Sequence, residues 1–214
     1  MQQQTGTIWS YKMNETAYRF CTTEDTQEAY QLMIGLTAYF LSIYQKEREE
    51  FASKNDAELE DDSYTAKQYE TYIMSLLAGM RDRVQEEMDS TSELDEVAFA
   101  LAIHQVVDLN WTRLYMSESK NATQLGKLQV AATEQANNRH LRIYKRWVAS
   151  GDEDSCDICQ EMNGTIVPID EPFLQHGELI DLPNGDIFSY NYIDRGIATA
   201  HPNCRCTFKL IVEY

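Results

Sequence analysis

The chain has 214 residues, of which 43% are hydrophobic, so it suits one domain of moderate size or a small domain with a helical extension. Its 35 acidic residues outnumber 18 basic ones, which gives a formal net charge of −17. A surface this acidic repels phosphate and disfavours general nucleic-acid binding unless basic residues cluster locally.

The chain begins with a polar segment that does not resemble a secretory signal. The first helix is predicted at residues 26–53, with Thr26 as its N-cap. Its most apolar part, residues 30–44, is shorter than the roughly 20 residues that span a membrane, so we expect a buried helix. The acidic run at residues 47–62 is interpreted as a solvated helix end followed by a loop.

Two more helices are predicted from apolar residues that recur at three- and four-residue steps. One begins at Ser63 and ends at the polar residues 89–92. The next covers residues 93–117 and carries His104 on its apolar stripe. A lone histidine in such a stripe is interpreted as a core residue and not as a metal ligand.

A polar run at residues 117–123 predicts a break in the helical pattern. We place a boundary there, between a helical N-terminal region, residues 1–119, and a second region, residues 120–214. A fourth helix is predicted at residues 122–149 and is ended by Gly151, because glycine favours the conformation that follows a helix.

The last sixty residues differ in composition from the predicted helices, because they contain prolines and two Asn-Gly pairs. These pairs, Asn163-Gly164 and Asn184-Gly185, are typical of tight hairpin turns. Residues 165–169 and 206–214 are predicted strands, the second with alternating side chains. The sequence therefore predicts a small β-rich unit after the helical body.

Four of the five cysteines and one histidine form two short motifs in this unit. Cys156 and Cys159 form C-x-x-C, and His201, Cys204 and Cys206 belong to the hexapeptide HPNCRC. Two residues between ligands let one turn aim both side chains at a single ion, and zinc binds thiolate and imidazole tetrahedrally. The close pairing favours reduced thiols in a cytoplasmic compartment over a disulfide framework.

Five candidate ligands compete for four positions. We prefer Cys156, Cys159, His201 and Cys204, with Cys206 replacing His201 if the turn is different. Four protein ligands close a site, so we expect structural zinc, no catalytic residues and no enzyme activity. Free buried cysteines, or a disulfide formed on oxidation, remain alternatives. The expected fold class is α+β, a mainly helical N-terminal body followed by a small zinc-stapled, β-rich C-terminal unit.

An ordered set of motifs extends beyond the ligands. It comprises a helical T-E-x-x-x-N element, K-x-W, an aspartate, C-x-x-C, N-G and H-P-N-C-R-C; the residues before C-x-x-C are Thr133, Glu134, Asn138, Lys145, Trp147 and Asp152. Over about residues 122–208 this order resembles the minor head, or head-morphogenesis, proteins of tailed phages, typified by the F protein of phage Mu. The resemblance implies a component of the virion head that is present in the host cytoplasm during assembly. It also implies that the protein acts near the portal, in head assembly or DNA packaging, and that its partners are portal or major capsid proteins.

A basic cluster between Arg139 and Arg146 is interpreted as an exposed helix face, either salt-bridged or in contact with an acidic partner or packaged DNA. Neither a membrane nor a small-molecule substrate is expected. Two other functions are compatible with the sequence. One is a metal-dependent nuclease or toxin-like hydrolase that uses His201, Asp152 or Glu161, and the other is a non-viral, zinc-stabilised adaptor.

Overall fold

The computed structural model describes residues 14–151, 155–191, 196–201 and 204–213. It confirms the α+β class, with long helices first and short antiparallel strands after them. Asp152 lies outside the described residues. The helices are α1 (residues 14–22), α2 (Thr26–Asn55), α3 (Ser63–Ser90), α4 (Glu96–Asn137) and α5 (Asp157–Glu161); the strands are β1 (Arg142–Val148), β2 (Ile166–Pro168), β3 (Leu179–Asp181), β4 (Ile187–Ser189) and β5 (Thr207–Glu213).

The first two predicted helices, α2 and α3, form almost as expected. The cap of α2 is Asp25 and not Thr26. The Asp25 carboxylate accepts hydrogen bonds from the backbone N–H groups two and three residues later, at 2.8 and 3.1 Å. Such an acceptor satisfies N–H groups that have no partner within the first helical turn.

The break predicted at residues 117–123 is wrong, because α4 runs through it without interruption. Ser117, Glu118 and Asn121 are buried in this segment. Asn121 donates a side-chain hydrogen bond to Glu118 at 2.9 Å. The polar run is therefore the internally bonded face of one long helix.

The fourth helix, predicted to reach residue 149, is also wrong beyond Asn137, where α4 ends. The chain turns and enters β1, in which Ile143, Lys145 and Trp147 are buried and the residues between them are more exposed. This alternation has the two-residue period of a strand. The K-x-W motif thus consists of two neighbouring inward positions.

Three strands form an antiparallel sheet in the order β2-β1-β5. The central strand β1 pairs along its whole length with β5, with Ile143 opposite Val212 and Trp147 opposite Phe208. The predicted strands at residues 165–169 and 206–214 are confirmed as β2 and β5. This pairing fixes the start of β5, and with it the position of the residues that immediately precede it.

The two Asn-Gly pairs have different roles. Asn184-Gly185 closes the β3–β4 hairpin, as predicted, and Gly185 has a φ of +88°. Asn163-Gly164 instead connects α5 to β2, so the hairpin predicted there is wrong. Gly164, with a φ of +91°, donates its backbone N–H to the Trp147 carbonyl at 2.9 Å and thereby aligns β2 with β1.

The described residues form two compact units. Unit 1 comprises residues 14–42 and Ser63–Met116, and its regular elements are all helices. His104 is exposed and stacks on Tyr18, with ring centroids 3.9 Å apart, so its interpretation as a core residue is wrong. The unit 1 core is apolar and includes Leu36, Phe40, Ile73, Leu77, Met80, Val84, Ile103, Val107 and Trp111.

Unit 2 comprises Ile43–Asp62 and residues 117–213. The acidic run predicted to be solvated ends in a buried ion pair, since Arg48 lies 2.8 Å from Asp62. Arg48 also donates to the carbonyl of Glu60 at 2.8 Å. A small apolar cluster supports the sheet and consists of Ala131, Leu141, Ile143 and Ile169, with Phe51, Leu128, Ala132 and Leu210 packed around it.

The predicted division of the chain into residues 1–119 and 120–214 stays a prediction. None of the helices in the described part of the chain combines the length and the apolarity that crossing a bilayer requires.

Candidate metal centre

The C-x-x-C motif lies at the start of α5. Cys156 is the N-cap, in an extended conformation, and its carbonyl accepts the backbone N–H of Gln160 at 3.0 Å. Cys159 follows in the first helical turn and is buried, whereas Cys156 is half-buried. One helical turn thus brings both sulfurs to the same side of the chain.

The HPNCRC motif approaches from the other end of unit 2. The backbone N–H of Cys204 donates to the carbonyl of His201 at 3.1 Å, which holds these two residues close together. Cys204 and Cys206 are 2% and 1% exposed, immediately before β5. Each half of the site therefore carries two candidate ligands three residues apart.

The structure brings all five predicted ligands together. Cys156 Sγ lies 3.0 Å from His201 Nε2, Cys159 Sγ lies 3.4 Å from the same nitrogen, and Cys159 Sγ lies 3.6 Å from Cys204 Sγ. Ligand atoms fall within 4.8 Å of one another in two triads that can hold a metal ion, Cys156–Cys159–His201 and Cys159–Cys204–Cys206. Two sulfurs at about 2.3 Å from a tetrahedral zinc are about 3.8 Å apart, close to the spacing found here.

The buried thiols change one another's acidity. Hydrogen bonds with Cys204 and Cys206, together with burial, raise the pKa of the Cys159 thiol far above its usual range. Hydrogen bonds from Cys159 and Cys206 hold the pKa of Cys204 far below it. The three sulfurs thus form one hydrogen-bonded group. A cation bound there would displace the remaining protons, because metal ligands bind as thiolates.

The indole of Trp147 adds an independent sign that this cluster suits a metal-bound thiolate. Its Nε1–H is completely buried and has no oxygen or nitrogen acceptor among the described residues. It lies beside Cys206, where hydrogen bonds with Cys159 and with this indole lower the thiol pKa, but the hydrogen bond with Cys204 and burial outweigh them and raise that pKa to about 11. An N–H aimed at sulfur is the kind of outer contact that supports thiolate ligands. The donor set and this N–H therefore fit a thiolate-binding metal ion.

Helix α4 positions the loop that carries the second motif. The side-chain oxygen of Gln124 accepts the backbone N–H of Ala198 at 3.2 Å, and its amide donates to the Cys206 carbonyl at 3.4 Å. Asn121 accepts the Thr199 hydroxyl at 2.7 Å. Both α4 side chains are buried, so these bonds form away from water and hold the loop in place.

The sequence alone did not reveal these two positioning residues, because the polar segment that contains Asn121 was interpreted as a domain boundary. A signal was available, because Glu118, Asn121 and Gln124 recur at steps of three, which places them on one side of a helix. Polarity alone suggested a loop.

The basic cluster does not form the helix face that the sequence predicted, because it lies in the turn after α4 and in β1. Arg139 lies in the turn after α4, and Arg142 and Arg146 point outward from β1, where all three are exposed. Lys145 instead points inward and is 0% exposed. Its ammonium donates to the carbonyl of Ile169 at 3.0 Å, and burial lowers its pKa to about 8.

Comparison with known proteins places these features in a family. The model described as "Phage Mu protein F like protein" matches residues 78–209, which is more than half of the chain and includes all five predicted ligands. The match begins within α3, upstream of the residues that carried the sequence resemblance. No curated protein and no solved structure matches the chain. The chain therefore belongs to the family of proteins like protein F of phage Mu.

Proposed function

We propose that this chain is a structural protein of a tailed-phage head that acts in head morphogenesis or DNA packaging and has no enzyme activity. The observation that carries the proposal is the family match over residues 78–209, which contains the clustered cysteines and histidine. In this proposal the protein is located in the virion head, and its partners are portal or major capsid proteins.

The ion proposed for the cluster is Zn²⁺. Thiolate and imidazole donors select zinc over magnesium or calcium, which prefer oxygen ligands. Cys156, Cys159, His201 and Cys204 would hold it, with Cys206 as the alternative to His201. Once bound, the ion would supply coordination bonds that join the start of α5 to the residues before β5.

A structural role for the ion is supported by the burial of its surroundings. Cys159, Cys204 and Cys206 are at most 3% exposed, and Cys156 and His201 are half-buried. A catalytic zinc keeps a position open to water and substrate, whereas a closed set of protein ligands stabilises a fold. The candidate acid Glu161 is exposed at the end of α5.

The exposed arginines extend the proposal to packaged DNA. Arg139 and Arg142 line a shallow cleft of about 430 Å³ together with Asp170. Arginine can bind phosphate through paired N–H donors, but the net charge of −17 opposes any broad DNA contact. We therefore restrict the proposed DNA contact to Arg139, Arg142 and Arg146.

The metal is tested by elemental analysis of the purified full chain and two variants. We expect about one equivalent of zinc in the wild type, loss of zinc in Cys156→Ser and retention in Cys206→Ser. Retention in Cys156→Ser with loss in Cys206→Ser would overturn the preferred ligand set. A zinc-free wild type with an ordered sheet would overturn the metal proposal as a whole.

The head role is tested by mass spectrometry of purified virions and of their separated heads. The proposal predicts the chain in the head fraction at fewer copies than the major capsid protein. Its absence from virions would support a non-viral adaptor instead. Metal-dependent cleavage of DNA or RNA that disappears in a folded His201→Ala variant would overturn the structural role in favour of a nuclease.

A further inference from the structure

One lysine of α4 lies on the side of the helix that packs against the second ligand motif. Lys120 is half-buried, next to Asn121 and one helical turn before Gln124. Asn121 accepts the Thr199 hydroxyl, and Gln124 donates to the Cys206 carbonyl, so this side of α4 contacts the segment that carries the motif. Residues four positions apart share a helix face, which places Lys120 beside the same segment.

The thiols near Lys120 act on its ammonium group. Burial is the main cause that lowers the pKa of Lys120, and the charge of Arg205 lowers it further. The thiols Cys204, Cys206 and Cys159 act in the opposite direction and raise this pKa. The ammonium is therefore close enough to three of the five candidate ligands to interact with a negative charge on them. These three sulfurs form the buried triad of the site.

Lys120 forms no ion pair with a carboxylate of the residues that the structure describes. Lys127, about two turns later in the same helix, lies 3.3 Å from Glu47 by contrast. A half-buried ammonium gains from a nearby negative charge, because solvent screens that attraction less than it does at the surface. Deprotonated sulfurs of the cluster can provide the negative charge.

A metal-bound cluster would carry such a charge, because cysteines bind metals as thiolates. Two positive charges on a zinc ion and three negative charges on Cys156, Cys159 and Cys204 leave a net charge of about −1. Cys206 in place of His201 would make the net charge about −2. A buried net charge is costly unless an opposite charge lies near it, and Lys120 is placed to supply one.

We propose that Lys120 is the counter-ion of the metal-bound cysteines and that its charge increases the affinity of the site for zinc. The inference rests on the metal proposed above. Lys120 has no place in the coordination shell, because its role is to stabilise thiolates that the ion already binds. Groups that surround metal ligands change metal affinity by about 10- to 100-fold, and the half-buried position of Lys120 favours the lower end of that range.

Competition with a chromophoric chelator measures the zinc affinity of the full chain and its variants. Lys120→Met keeps the apolar stem and removes the charge, so it should weaken zinc binding about tenfold. Lys120→Arg keeps the charge and should bind zinc nearly as tightly as the wild type. Lys127→Met is the matched control, the same substitution in the same helix at a lysine paired with Glu47, and it should leave the affinity unchanged.

The order of the variants separates charge from packing. If Lys120 only filled space, methionine would be tolerated and the larger arginine would not. The zinc K-edge spectrum of loaded Lys120→Met should show the same sulfur ligands as the wild type, because only the surroundings of the ligands change. Lys120→Gln, which is also neutral, replaces Lys120→Met if circular dichroism shows that the methionine variant is unfolded.

The results that would overturn the inference differ from those that would overturn the metal site. Equal zinc affinity in the wild type and Lys120→Met would exclude the counter-ion and leave the proposed site intact. Weaker binding in Lys120→Arg than in Lys120→Met would assign the effect to packing. An equal loss of affinity in Lys127→Met would exclude a specific role for Lys120. A wild type that binds no zinc would overturn the metal proposal and this inference with it.

Discussion

The two units of this protein are stabilised by different kinds of contact. In unit 1, helices pack large apolar side chains against one another, as where the Phe40 and Trp111 rings lie 6.0 Å apart. In unit 2, the sheet has a small apolar cluster, and buried polar side chains such as Asn121 and Gln124 hold the loops around the cysteines. A unit rich in loops needs directional bonds, and coordination to the proposed metal ion would provide the strongest of them.

Removal of the proposed metal should have the largest effect on folding stability, and it should destabilise unit 2 alone. Cys159→Ser removes the ligand common to both triads, and structural zinc contributes on the order of 10 kcal/mol to folding. We expect loss of amide protection in residues 142–213, measured by hydrogen exchange, with unit 1 still protected. Cys21→Ser, at a buried cysteine of unit 1, is the control and should keep its metal. Equal loss of protection in both units would contradict the difference between them.

The complementary change weakens the apolar core of unit 1. Trp111→Ala leaves a cavity beside Phe40 and should lower the free energy of unfolding of unit 1 by about 3–5 kcal/mol, measured by denaturant titration. Metal content should be unchanged, since Trp111 is not part of unit 2. Loss of zinc from a variant that remains folded would show that the two sets of contacts are not separable.

The buried ammonium of Lys145 should make unit 2 sensitive to alkaline pH. Its folded pKa of about 8 lies below the ordinary value of 10.5, so the unfolded state binds this proton more tightly. The free energy of unfolding should therefore rise between pH 8 and pH 10.5, by at most about 3 kcal/mol, while the full penalty remains below pH 8.

Denaturant titrations at pH 7.5 and 10 on wild type and variants isolate this effect from the titration of the thiols. Lys145→Met should remove the lysine contribution to the pH dependence, and Lys209→Met, at an exposed lysine of β5, should leave it in place. An identical pH dependence in wild type and Lys145→Met would contradict a depressed pKa for this lysine.

Two helical glycines give the smallest predicted effects, with opposite signs. A Cβ at Gly126 would lie 2.9 Å from the Tyr44 carbonyl oxygen and 3.1 Å from the Arg48 nitrogen, both backbone atoms. Gly126→Ala should therefore destabilise unit 2 by about 1–3 kcal/mol. A Cβ at Gly35 would meet nothing within 4 Å, so Gly35→Ala should stabilise unit 1 by about 0.5–1 kcal/mol. Thermal unfolding of both variants measures the contrast, which two shifts of the same sign would contradict.

The same difference explains which features could be predicted from the sequence. α2 and α3 were predicted because apolar side chains that face a core recur with the helical period, and the ligand motifs because their spacing is local. Residues 117–123 were misread because burial of polar groups depends on partners such as Thr199, which lie far away in the sequence. β1 was predicted as part of a helix because the charged Lys145 occupies an inward position and interrupts the apolar–polar alternation of a strand. The two-residue period can be recognised only from the pairing of β1 with β5.

The central claim is that one metal ion organises unit 2, and the zinc K-edge absorption spectrum of the purified full chain tests it most directly. The account predicts about one zinc per chain, with sulfur ligands at about 2.3 Å and a shell that also contains imidazole nitrogen at about 2.0 Å. A shell of oxygen ligands, or a metal-free protein in which β1 and β5 remain paired, would contradict it.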